Sequence, residues 1–146
     1  MQISARVEYA CLAVMDLAEN YLEPSGTAKP VQVRKIAQKH GIPSKFLVQI
    51  LLQLKRAGLV SSTRGAMGGY ELLRAPSEIT LADVMAVIEG SQVAVTRSAQ
   101  NTTPGGRVLT VAWEEAAAAE QERLSAVTFA DLVEEAHAQP AEMYYI

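Results

Sequence analysis

One cysteine, two histidines and no long apolar run are what this chain of 146 residues has least of, and each shortage excludes a class of protein. With Cys11 alone, an intrachain disulfide is impossible, and so is a zinc or iron–sulfur site built from the thiolates of one chain. His40 and His137 stand far apart without metal-ligand spacing, and no Ser-His-Asp or Cys-His arrangement can be argued around them. A catalyst using the adjacent Glu114 and Glu115 is equally poorly supported, because neighbouring helix residues do not face each other. These absences argue against an enzyme, and the expected cofactors and metals are none. No stretch approaches the roughly 18 apolar residues of a membrane helix. The opening MQISARVEY carries Arg6 and Glu8 rather than the apolar core of a secretory signal. The expected location is cytoplasmic, with no membrane partner.

What is present is enough apolar material for a core: 49% of residues are hydrophobic and 20% charged, which excludes disorder, collagen and coiled-coil fibre. The net charge of -3 conceals two opposite halves. Residues 1–75 hold ten Lys or Arg against five Asp or Glu, and residues 76–146 hold three against eleven, so the balances are +5 and -8. A basic half can bind a polyanion whatever the sign of the whole, which makes nucleic acid or a membrane surface the partner to test.

Hydrophobic spacing divides the chain into short elements. Ile3, Val7, Ala10, Cys11, Val14, Leu17, Ala18 and Tyr21 recur at three and four and predict one helical face. Cys11 lies inside that stripe, so a small buried side chain is its expected role ahead of a reactive thiol. Pro24, Ser25, Gly26 and Pro30 break the pattern. Val33, Ile36 and Ala37 then predict a short helix, closed by His40-Gly41-Ile42-Pro43 with Gly41 left-handed. From Pro43 a longer helix follows, with Leu47, Ile50, Leu51 and Leu54 inward and Lys45, Val48, Gln49 and Leu52 outward. Two helices across a tight turn match the helix-turn-helix pattern.

A strand over 59–63, the loop Arg64-Gly65-Ala66-Met67-Gly68-Gly69 and a returning strand from Tyr70 predict a small hairpin whose glycines let the backbone approach another surface. The loop is no nucleotide cradle, since no Lys-Ser/Thr follows it and it leads into a strand. Pro76 and Ser77 open a short amphipathic helix over 80–89, with Thr80 as N-cap. Residues 91–106 read as a flexible loop, about 107–124 as a long alanine-rich helix suited to packing on a second copy, and 128–133 as the start of a last helix. The end Met143-Tyr144-Tyr145-Ile146 is too apolar for casual solvation and is expected to dock or to pack on a neighbour.

The segments ISARVEYA, HGIPSKFLVQILLQLKRAGLVSS, RGAMGGYEL, ITLADVMAVIEG and VTFADLVEEA together resemble the Rrf2 family of bacterial winged-helix transcriptional regulators, most specifically over 46–72. The resemblance implies a mainly α fold: a winged helix-turn-helix DNA-binding domain over 1–75, then, over 76–146, a linker helix, the loop 91–106 and a dimerisation helix at about 107–124. It implies a homodimer on a palindromic operator of double-stranded DNA, in a family whose members are most often repressors. The helix from Pro43 resembles the recognition helix, so Ser44, Lys45, Val48 and Gln49 are expected at the DNA, with Gln49 able to read adenine and Lys45 a guanine or a phosphate. Val48 departs from the glutamate often found there, which removes an acceptor for cytosine and offers an apolar contact for a thymine methyl. Arg64 resembles the family's minor-groove arginine, with Gly65, Gly68, Gly69 and Tyr70 shaping the wing, while Ser4 and Arg6 resemble phosphate contacts.

Many family members hold an iron–sulfur cluster with three loop cysteines. Here the loop has none, so no cluster is expected, and a signal would enter through a small-molecule effector, a partner protein or the Cys11 thiol. The competing reading is a winged-helix interaction protein that docks on an enzyme or on transcription machinery instead of an operator.

Overall fold

The computed structural model describes residues 1–90 and 103–140. Most of the expected loop, 91–102, and the apolar tail 141–146 lie outside the described residues.

Helix α1 (Ala5–Glu19) starts at Ser4, whose hydroxyl accepts from the Val7 amide, and buries Val7, Ala10, Ala13, Val14, Leu17 and Ala18. Its small alanines let other elements come close, and α1 is the hub on which the later helices pack. The predicted stripe overshoots at both ends. Ile3 precedes the N-cap and is exposed, and Tyr21 belongs to a strand, because the chain turns back at Asn20 to pair β1 (Tyr21–Leu22) with β2 (Thr27–Ala28). Two-residue strands carry no periodicity, which is why this hairpin is invisible in the sequence.

Helix α2 (Val33–His40) closes on Gly41 at φ 65°, the left-handed residue expected there, and α3 (Ser44–Arg56) follows after Pro43. Strands β3 (Val60–Thr63) and β4 (Gly69–Leu72) pair antiparallel with Val60 opposite Leu72. Val31 forms an antiparallel bridge with Tyr70, their backbones exchanging hydrogen bonds of 2.8 and 2.9 Å. The segment before α2 is thereby tied to the edge of the hairpin, a third partner that hydrophobic alternation does not reveal.

Pro76 and Ser77 do not open the next helix as expected. They lie in a separate 3-10 turn (Pro76–Glu78), and α4 (Leu81–Glu89) begins after Thr80, whose hydroxyl and the Asp83 carboxylate cap each other's backbone amides. The long helix also corrects its prediction: α5 runs Pro104–Ala126, so residues 104–106 are helical rather than loop. Thr103 caps it through the Gly106 amide and Pro104 occupies the first turn, where its missing N–H costs nothing. Helix α6 (Phe129–Ala138) repeats the capping box with Thr128 and Asp131. Each such cap contributes about 1 kcal/mol. The two capped starts are stitched together by a Thr80–Thr128 bridge and by the Leu81 and Phe129 amides, which donate to Val127 and Ile79.

One core unites these elements, with Leu17, Ile36, Leu47, Ile50, Leu51, Leu54, Val60, Ile79, Val84 and Phe129 fully buried. At about 1.5–3 kcal/mol for each large side chain, these residues dominate the packing energy. Helix α5 is the exception. It is about 35 Å long at 1.5 Å per residue, yet Thr110 is its only buried residue, and Val108, Leu109, Val111 and Trp113 are exposed.

Candidate nucleic-acid interface

The period of α3 sorts its side chains into two faces. Leu47, Ile50, Leu51 and Leu54 enter the core, while Lys45, Val48, Gln49 and Leu52 stand exposed on the opposite face beside Ser44 and Phe46. Apolar residues left uncovered on a helix so firmly seated mark a surface that meets something. The Arg6 guanidinium donates to Gln53 Oε1, tying the start of α1 to α3, and Lys55 Nζ donates to Ser62 Oγ at 2.8 Å, tying α3 to β3. Arg6 keeps further N–H donors beyond that bond. The Ser4 hydroxyl caps α1 by accepting from the Val7 amide, which leaves its O–H free to donate.

The wing carries Arg64 and Gly65 exposed at its tip, Gly65 at φ 105°. Gly68 and Gly69 meet a surface belonging to the protein itself. A Cβ at Gly68 would collide with the Thr63 carbonyl, and one at Gly69, where φ is 147°, with the Val31 carbonyl. Tyr70 exchanges backbone hydrogen bonds with Val31 and leans on the core. These three residues therefore set the shape of the wing, and Arg64 is the side chain it presents.

Electrostatics favour an anionic partner. Among the described residues, Lys39 is the one lysine or arginine of residues 1–75 with a carboxylate within 4 Å. The exception builds an anchor that the sequence does not show. Asp16 of α1 is buried at 6% exposure, and its carboxylate takes Lys39 Nζ at 3.1 Å and His40 Nε2 at 3.0 Å. This fixes the end of α2, next to the turn into α3. The hydrogen bond to Asp16 holds the Lys39 ammonium above its ordinary pKa. Glu19 adds Lys39 and His137 at 3.7 and 3.8 Å, reaching α6.

Cys11 is half-buried on an apolar groove of about 480 Å3 that includes Ile3, Leu12, Met15, Met85 and Leu124. Burial, helped by nearby Glu8, pushes its thiol up to about 11. Among the described residues no three His, Cys, Asp or Glu converge as metal ligands, and no helix is long and apolar enough to cross a membrane.

A helix pair across a tight turn at Gly41, a bare outward face on the second helix and a basic-tipped hairpin together define a winged helix-turn-helix DNA-binding protein. Comparison with known proteins narrows the class. Residues 3–135 match the Rrf2 family model, described as an iron-dependent transcriptional regulator. The chain is 31% identical over 143 residues to protein rrf2 of Nitratidesulfovibrio vulgaris, covering 96% of this chain and 92% of that one. Among solved structures, IscR of T. potens superposes with a TM-score of 0.76 at 34% identity, covering 99% of this chain and 97% of that one. CymR, described as the global cysteine regulator of B. subtilis, superposes with a TM-score of 0.75 at 30% identity, covering 92% of this chain and 98% of that one. The chain belongs to the Rrf2 family and is a DNA-binding transcriptional regulator, not an enzyme.

The family description implies iron, and the residues present do not fit a thiolate-held cluster. The single cysteine sits on the apolar side of α1 with its thiol held protonated, the opposite of what a cluster ligand needs.

Proposed function

We propose that the protein is a cytoplasmic homodimeric repressor reading a palindromic operator. The observation that carries the reading is the outward face of α3, where Lys45, Val48, Gln49 and Leu52 lie bare and Lys45 has no carboxylate within ion-pair distance among the described residues. In the major groove Gln49 pairs with adenine N6 and N7, Lys45 donates to guanine or phosphate, and Val48 packs on a thymine methyl. Arg64 enters the minor groove, most favourably where A·T pairs narrow it. Ser4, Arg6 and Ser44 hold backbone phosphates, Ser4 donating its O–H while it caps the start of α1. The apolar residues exposed on α5 form the seam with a second copy, which sets two half-sites about one helical turn apart. The signal comes from a small molecule or a partner protein, not from a thiolate-held cluster.

Selection from a random duplex pool followed by gel shift tests this reading. A palindromic consensus is expected, with Gln49→Ala relaxing one base position by about 1–3 kcal/mol and Arg64→Ala weakening A·T-flanked sites most. A triple Lys45, Gln49 and Arg64 alanine variant that kept its regulatory activity while losing the selected duplex would instead mark the chain as an interaction module.

A further inference from the structure

Beside the wing lies a cleft that the base-reading face does not use. Its volume is about 140 Å3, and Pro30, Gln32, Lys35, Ala66, Met67 and Gly68 line it. Among the described residues, no carboxylate lines it and Lys35 has none within ion-pair distance. The cleft is therefore electropositive without internal compensation. Its lining includes Met67, which at 91% exposure is the barest large apolar side chain among the described residues.

A single exposed methionine on a floppy loop would mean little. This one is mounted on a fixed turn. The Gly68 amide donates to the Gly65 carbonyl at 3.0 Å, closing the turn with Ala66 and Met67 at its apex. Gln32 Nε2 donates to the Ala66 carbonyl at 3.0 Å, tying the apex to the start of α2. Below it, Gly68 and Gly69 sit against the Thr63 and Val31 carbonyls with no room for a Cβ, and the Val31–Tyr70 bridge locks the base. A cation and an apolar side chain lining one cleft, with Arg64 at the start of the same loop, suit a unit that carries both a phosphate and a sugar.

We propose that this cleft seats one deoxyribose–phosphate unit of the strand bordering the minor groove, with Lys35 on the phosphate and Met67 against the sugar. The inference rests on Arg64 lying in that groove. It adds a contact pair, one electrostatic and one apolar, that holds the wing in register.

The test uses full-length protein and duplexes that the wild type selects from a random pool. Lys35→Ala should weaken binding and lower the salt dependence by about one unit of slope, as loss of one phosphate contact does. Met67→Ala should weaken binding about threefold or more with the slope unchanged, since a methionine contact is apolar. Hydroxyl-radical footprinting should show the sugar beside the minor-groove site newly cleaved in Met67→Ala and protected again in Met67→Leu. Both side chains are exposed, so circular dichroism and urea midpoints should match wild type. A wild-type slope in Lys35→Ala with an unchanged footprint in Met67→Ala overturns the cleft and leaves the wing reading intact. If the wild type itself protects no minor-groove sugar and Arg64→Ala binds unchanged, the wing reading fails and takes the cleft with it.

Discussion

Asp16 shows how one side chain can set the position of a reading helix. Its carboxylate is buried in α1, yet it holds His40 and Lys39 at the end of α2, immediately before the turn into α3. Lys39 is half in solvent and adds little, so the pair with His40, itself mostly covered, carries the anchor. Asp16→Ala should lower stability by about 2–4 kcal/mol in urea unfolding, because it leaves the partners of a buried charge unsatisfied. Operator affinity should fall with it as α3 loses its support. The anchor is not legible in the sequence, since its residues lie more than twenty positions apart and no local pattern links them. Cys11 was legible: its place in the apolar stripe pointed to a covered side chain, and the structure half-buries it. With its thiol raised from 9.0 to about 11, the folded protein favours the neutral form. The stability this contributes is complete below pH 9 and is lost as pH rises through about 11. Alkylation by iodoacetamide at pH 8, followed by mass spectrometry, should run far slower in native protein than in urea, where about a hundredfold more of the thiol is ionised. Equal rates would remove the burial argument.

At the scale of elements, α3 and the wing differ in how their form is encoded. Helix α3 announces itself by three leucines and an isoleucine at the right spacing, and the structure buries all four while exposing the opposite face. The wing was equally visible as strand, glycine loop and strand, but the reason for its glycines was not. Gly68 and Gly69 looked like places for a foreign backbone to approach, and the backbone they admit is that of Thr63 and Val31. Gly69→Ala should therefore cost more than about 1 kcal/mol, since both the positive φ and the Val31 carbonyl oppose a Cβ. Hydrogen exchange should show the loss concentrated at Val31 and Tyr70, where the bridge forms. An unperturbed bridge in that variant would mean that the glycine is dispensable to the fold. Thr80 and Thr128 were readable as helix starts from their capping residues, whereas their pairing with each other depends on how α4 and α6 pack.

For the whole molecule, the unused surface of α5 is the informative part. A helix of 23 residues with Val108, Leu109, Val111 and Trp113 in solvent is not a finished structure by itself. In the proposed dimer, covering that face with a second copy turns two helix-turn-helix units into a reader of paired half-sites. Trp113→Glu should shift sedimentation toward the monomer and weaken operator binding by well over tenfold, because each unit then binds alone. A variant that still sediments as a dimer would move the seam elsewhere. Charge follows the same division, with the basic excess on the half that bears α3 and the wing and the acidic excess on the half that bears α5.

By itself the sequence determined the helices with regular apolar spacing, the tight turn at Gly41, the hairpin, the charge asymmetry and the lack of cluster thiolates. All of these are local or compositional: spacing decides which face is apolar, a left-handed turn selects glycine, and a ligand that is not encoded cannot be supplied by folding. Only the tertiary structure decided which carbonyls crowd Gly68 and Gly69, that Val31 joins the wing, that Asp16 reaches His40, and that Lys35 and Met67 line one cleft. Those contacts join residues distant along the chain, and their positions follow from how the elements pack on α1 rather than from any periodicity within them.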